Sequence, residues 1–148
     1  MKAHLAELTV LLGRPIAEIE LESLEKTASL VDEVKKRFQT PNALTFEIPF
    51  GDRLLDLFKH FVMKLHASNP SPIYIWVERT NYCGVLRVPS VCSIKYDFDF
   101  WIERNGVISL VTEDLKDKFV LDLLLSDDGE ERLELRVQGE NWGGIKYD

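Results

Sequence analysis

Two prolines in three residues, Pro70 and Pro72, divide this chain more sharply than any other feature; they close the polar stretch Ala67-Ser68-Asn69-Pro70-Ser71-Pro72. Proline removes a backbone donor and blocks helix continuation, so a helix must end before this stretch and an extended segment must begin after it. Ahead of the break, apolar residues recur mainly with helical spacing. Behind it they recur with the two-residue spacing of strands. The division predicts an α+β domain in which N-terminal helices pack on one face of a mainly antiparallel, meander-like C-terminal sheet.

In the first half, residues 2–12 predict a short helix ended by Gly13 and Pro15. Residues 16–22 fit either a helix or a strand, because Ile16, Ala17, Ile19 and Leu21 partly alternate with acids. From Ser23 the helical period is clear, with Leu24, Ala28, Val31, Val34 and Phe38 on one face. Ser23 is placed to cap that helix, and Lys35, Lys36 and Arg37 complement the negative end of its dipole. Residues 44–48 predict a short strand. A helix over 52–66 follows, with Asp52 as cap and a stripe of Leu54, Phe58, Phe61 and Leu65 widened by Leu55 and Val62.

The second half predicts strands at 72–79, 84–89, 93–103, 106–113, 118–125 and 131–138. In the third, Ile94, Tyr96, Phe98, Phe100 and Ile102 alternate with Lys95, Asp97, Asp99, Trp101 and Glu103. That period of two marks a strand with one buried and one wet face. Turn chemistry then sets registers. A two-residue Asn105-Gly106 loop would split the apolar residues between faces. A three-residue loop with Gly106 in the left-handed bulge position places Ile102 opposite Ile108, Phe100 opposite Leu110 and Phe98 opposite Thr112. The same device at Asp127-Asp128-Gly129 places Leu123 opposite Leu133, Leu121 opposite Leu135 and Phe119 opposite Val137. These registers collect Asp97, Asp99, Trp101, Glu103, Glu113, Asp122 and Glu134 on the second sheet face, which is expected to be open and acidic, with Ser109, Val111 and Arg136 beside them.

The chain has 148 residues, 45% of them hydrophobic, which suits one domain with a real core. Its formal charge of −7 argues against a nucleic-acid or anionic-membrane partner and is compatible with a basic protein partner or with solubility alone. The N-terminal apolar stretch is interrupted by Glu7 and followed by no small-residue cleavage site, so no signal peptide is expected. The cytoplasm is the expected compartment, with Cys83 and Cys92 reduced.

No catalytic or metal centre is expected. Asp97 and Asp99 would lie about 6–7 Å apart along a strand, a spacing compatible with a glycosidase pair or a divalent ion, but solvated carboxylates on a sheet face are ordinary. His60 and His66 share a helix but not a face, His4 stands apart, and no cofactor loop is present. Cys83 and Cys92 lack both a neighbouring base and the spacing of a metal site. Gly143-Gly144 after Trp142 suggests a flexible tail.

In size, charge, helical start, strand-rich finish and the acids around Trp101, the chain resembles the immunity proteins of bacterial toxin systems, including contact-dependent growth inhibition. The resemblance implies a small, non-enzymatic, cytoplasmic bacterial protein that binds one toxin domain, often a basic nuclease, and blocks it. It assigns no role to any single residue. On this reading Asp97, Asp99, Trp101 and Glu103 form part of the binding surface, and charge reversal at Asp97 and Asp99 weakens binding without unfolding. The alternative is a small-molecule-binding domain, with Tyr96, Phe98 and Phe100 lining a pocket between helices and sheet.

Overall fold

The computed structural model describes residues 1–39, 43–98 and 106–148. Its helices are α1 (Lys2–Leu12), α2 (Leu24–Arg37), α3 (Asp56–Ser68) and the single turn α4 (Thr80–Cys83). Its strands are β1 (Ala43–Pro49), β2 (Ile73–Trp76), β3 (Leu86–Val88), β4 (Val107–Thr112), β5 (Asp117–Leu125) and β6 (Glu131–Gly139). All six strands join one antiparallel sheet in the order β1-β6-β5-β4-β2-β3. The architecture is α+β, and β4, β5 and β6 form the expected meander.

Local chemistry accounts for the helix ends. Gly13 stops α1 in the left-handed conformation, with φ of 67°, and its N–H donates to Thr9 O. Ser23 caps α2 by accepting from the Lys26 N–H, and Lys35, Lys36 and Arg37 occupy its last turn. The helix expected over 52–66 begins later, because residues Phe50–Leu54 wind as a 3-10 turn; Leu55, not Asp52, stands at the α3 N-cap. Residues 16–22 are neither a full helix nor a strand. They hold a 3-10 turn at Glu18–Glu20 and one bridge, Leu21 to Leu86, that closes onto the β3 edge.

The second expected hairpin is present as derived. Leu123 faces Leu133, Leu121 faces Leu135 and Phe119 faces Val137. Ser126 N–H donates to Glu130 O, and Gly129 N–H donates to Ser126 O. Asp127-Asp128-Gly129 therefore forms a three-residue loop, with Gly129 at φ 84°.

The first is corrected. β4 has both flanks filled, by β5 and by β2: Leu110 lies between Phe119 and Ile75, and Ile73 occupies the place opposite Thr112 that was expected for Phe98. The strand predicted at 93–103 does not exist over its described part. Residues Val91–Ser93 form a 3-10 turn, and residues 94–98 belong to no strand. Burial alternates all the same, with Ile94 and Phe98 buried and Lys95 and Asp97 exposed. The two-residue period there records which side chains meet the core, not a ladder. Residues 99–105, with Asp99, Trp101, Glu103 and Asn105, lie outside the described residues. Gly106 is left-handed as expected, with φ 63°, but its carbonyl accepts from Leu123 N–H and so extends the β4–β5 ladder.

Leu8, Leu11, Phe58, Phe61, Val62 and Leu65 of α1 and α3 pack with Ile75, Ile108, Leu110, Phe119, Leu121, Leu133, Leu135 and Val137 in one core. Each such side chain contributes about 1.5–3 kcal/mol by leaving water. The helices do not all share that face. Val31, Val34 and Lys35 of α2 border a groove with Trp76, Ser109, Val111 and Lys118 on the opposite face of the sheet. Phe38 lies near the Lys118 ammonium and accepts from Gln138 Nε2 through its carbonyl. Tyr74, Val111 and Val120 are buried on this second face, so it is partly covered rather than fully open. Its apolar residues supplied the reason: they offered Val31, Val34 and Phe38 a second place to pack, while Leu24 and Ala28 of the expected stripe stay exposed.

Candidate functional site

Of the seven acidic or aromatic residues expected to share one face, Asp122 and Glu134 are brought together. They stand directly opposite each other in the β5–β6 ladder, both partly buried. Like charges at that position repel. Partial burial, then the nearby Glu134 charge, hold the Asp122 carboxyl above its ordinary range, while Arg136 offsets part of the effect. Arg136 Nη2 donates to Glu134 Oε1 at 3.0 Å, and Arg132 Nε donates to Glu47 Oε1 at 2.7 Å on the neighbouring strands. This end of the sheet is a mixed lattice of charges with one carboxylate, Asp122, in an unfavourable place.

Glu113 lies elsewhere, at the far side of the sheet, paired with Arg87 of β3. Asp97 is not on the sheet. It lies on the wall of a cavity of about 420 Å³ between α3 and residues 92–97, with Arg53, Leu54, Phe58, Lys59, Val62, Met63, Cys92, Ile94, Lys95 and Tyr96. The pocket expected between helices and sheet is therefore displaced to the side of α3. Tyr96 does line it, whereas Phe98 is buried in the core. The Tyr96 ring meets Phe58 edge-on at 5.2 Å, and its hydroxyl donates to Val91 O at 2.8 Å. Burial pushes this phenol well above its ordinary range. Burial also raises the Cys92 thiol, although a hydrogen bond with Ser90 offsets part of that, so the thiol is not activated.

The remaining polar residues hold the fold. His4 is fully buried and its Nε2 donates to Gly84 O at 2.9 Å, which fixes the tautomer because a carbonyl only accepts. Three residues on, buried Glu7 pairs with Arg79, so α1 is tied to the α4 turn twice. Sequence reasoning missed a second knot around Asp117. Its buried carboxylate accepts from Asn69 Nδ2 at 2.7 Å, Asn141 N at 2.8 Å, Asn141 Nδ2 at 2.9 Å and Trp142 N at 2.8 Å. Trp142, fully buried, donates from Nε1 to Leu65 O at 2.9 Å. The segment expected to be a flexible tail is thus anchored to β5 and to α3. Asn69, in the stretch expected to be only a break, was the one available signal.

Trp76 is half-buried beside α2 and donates from Nε1 to Asn81 Oδ1 at 3.2 Å. Among the described residues, no group of three or more His, Cys, Asp or Glu side chains is placed to hold a metal ion. No helix among them is long and apolar enough to cross a membrane. Comparison with protein-family models, with curated proteins and with solved structures returns no match to this chain.

Proposed function

We propose that this chain is a non-enzymatic immunity-type protein that binds a cognate basic toxin domain in the cytoplasm and blocks it by occlusion. The observation that carries this reading is the Asp122–Glu134 pair, two partly buried carboxylates held opposite each other in the sheet. A partner lysine or arginine seated between them would relieve their repulsion, so the cost present in the free protein becomes affinity in the complex. The chain's −7 charge would speed encounter with a basic partner. Asp99, Trp101 and Glu103 remain candidates for the same interface, whereas Asp97 and Glu113 lie away from it.

The test is capture of a partner by the tagged protein in its native host, repeated with Asp122→Lys and Glu134→Lys together. The expected result is a basic toxin domain retained by the wild type and lost by the double variant, with thermal stability of the variant preserved. Undiminished capture by a folded double variant would place the interface elsewhere and reject this reading.

A second reading has its own support in the cavity beside α3. A volume of about 420 Å³ falls within the roughly 300–1,000 Å³ typical of small-molecule sites. Under this reading the chain is a ligand-binding domain, and an unbiased thermal-shift screen against metabolites would find stabilising compounds.

A further inference from the structure

The cavity beside α3 differs from the rest of the molecule in charge. Among the described residues that line it, Arg53, Lys59 and Lys95 stand with one carboxylate, Asp97. This occurs in a chain whose formal charge is −7. The excess of positive charge is local and coincides with an apolar hollow.

The three cations are not equivalent. Arg53 is built into the wall. Its Nη1 donates to Phe50 O at 3.1 Å, its Nη2 donates to Phe98 O at 3.1 Å, and the guanidinium lies over the Phe50 ring at 3.8 Å. Lys59 and Lys95 make no ion pair among the described residues. The Lys95 backbone is nevertheless fixed, because its N–H donates to Leu11 O at 2.7 Å. The stem of Lys95 lies close against Gly13, where an added Cβ would stand 3.0 Å from Lys95 Cγ. One lysine thus comes from α3 and the other from a wall tied to α1.

The interior is apolar. Phe58, Val62 and Ile94 are buried side chains at the cavity, while Leu54 and Met63 are large apolar residues left exposed beside it. Exposed leucine and methionine at a hollow suit a flexible hydrocarbon body. The two weak acids of the wall, Tyr96 and Cys92, stay protonated near neutral pH because burial raises both. They add no negative charge to oppose an anion.

We propose that this cavity binds a free, monomeric amphipathic anion, a medium-chain carboxylate whose hydrocarbon body lies between Phe58, Val62, Met63 and Tyr96 and whose headgroup meets Lys59 and Lys95. The inference rests on the ligand-binding reading of the cavity and adds the chemical class of the ligand.

The two free thiols provide an internal control. Cys92 lies on the cavity wall, and Cys83 lies in α4, outside the cavity lining. The experiment measures calorimetric affinity and maleimide labelling of the full chain with decanoate, decanol and decylammonium, each below its micellar concentration. Decanoate is expected to bind and to slow labelling of Cys92 several-fold while Cys83 is unaffected. Decanol should bind more weakly and decylammonium not at all. Lys59→Gln with Lys95→Gln should weaken decanoate about ten-fold and leave decanol unchanged. Binding of none of the three would reject the ligand-binding reading itself. Equal binding of all three, or preference for decylammonium, would leave a binding cavity but overturn the anionic class. Equal protection of Cys83 would place the ligand elsewhere and overturn the site. Preferential co-sedimentation with anionic phospholipid vesicles over binding of monomeric decanoate would overturn the free-ligand assignment in favour of a membrane surface.

Discussion

The two ends of the β5–β6 hairpin are built on opposite principles. At the turn end, Asp127-Asp128-Gly129 reverses the chain through local backbone chemistry, and space is open around Gly129. At the other end, Asp117 pairs with Gly139 and everything depends on distant residues. The Asp117 carboxylate gathers donors from Asn69, Asn141 and Trp142, and the Trp142 indole reaches Leu65 of α3. The turn end sets register; the buried end joins sheet, α3 and C-terminal segment into one unit. A register needs only a short-range signal, whereas a joint needs parts from across the chain.

The contrast is sharpened most by Gly139→Ala. Gly139 has φ of 121°, and an added Cβ would sit 2.1 Å from Lys116 O and 2.6 Å from Asp117 Oδ1. Backbone strain and overlap together should cost about 4 kcal/mol or more, read as a large loss in denaturation midpoint or failure to fold. Asp117→Ala comes next. It strands the Asn141 and Trp142 N–H groups without their acceptor and leaves Asn69 Nδ2 only its longer contacts to Asp114, a cost of about 3 kcal/mol in urea titration. The emission of buried Trp142 should shift to longer wavelength below the main unfolding transition. A Gly139→Ala protein as stable as wild type would mean that the buried end is not a joint.

The residues explain what could be read in advance. The Asp128-Gly129 turn was legible because its determinants are adjacent, and the alternation of Leu121, Leu123, Leu133 and Leu135 selects one register. The Asn105-Gly106 turn offered the same local signal, yet β4 is flanked by β2, which arrives from across the Pro70–Pro72 break. Periodicity cannot report which strand wins a place in the sheet. It reported burial at Ile94 and Phe98, and that much is present. The helical period of α2 was legible, but not the exposure of Leu24 and Ala28 nor the choice of sheet face, since both faces carry apolar residues. Of the residues expected on the acidic face, Asp122 and Glu134 are brought together because their placement rested on the legible hairpin. Asp97 left it because residues 94–98 belong to no strand. Of the Asp117 knot only Asn69 gave any signal, because one aspartate, two asparagines and a tryptophan carry no pattern until the chain is folded.

The two glycines expected to behave alike should now differ. At Gly106, with φ 63°, a Cβ would lie 3.0 Å from Leu123 Cβ, a half-buried residue of the ladder. At Gly129 the conformation is left-handed but nothing lies within 4 Å. Gly106→Ala should therefore destabilise by about 2 kcal/mol, combining conformation and crowding, and Gly129→Ala by about 1 kcal/mol from conformation alone. Equal losses in matched thermal melts would show that Leu123 yields freely and that only backbone conformation matters at these turns.

The smallest effect lies midway between the two ends, at Asp122. Its carboxyl titrates above the ordinary aspartate value of 3.8 because of burial and then Glu134. A carboxyl whose value is raised on folding favours the folded state while protonated. That contribution is fully present below 3.8 and is lost as the pH rises through the raised value. At neutral pH the ionised Asp122 is thus a slight burden, and Asp122→Asn should raise the melting temperature a little. The gain should shrink as the pH falls and vanish below the ordinary aspartate range. Salt should reduce only the part that comes from the Glu134 charge, since burial is not screened. A gain independent of pH would assign the effect to side-chain packing. A loss at neutral pH would mean that the ionised carboxylate is held by a favourable contact in the free protein, and the repulsion proposed to draw in a basic partner would not exist.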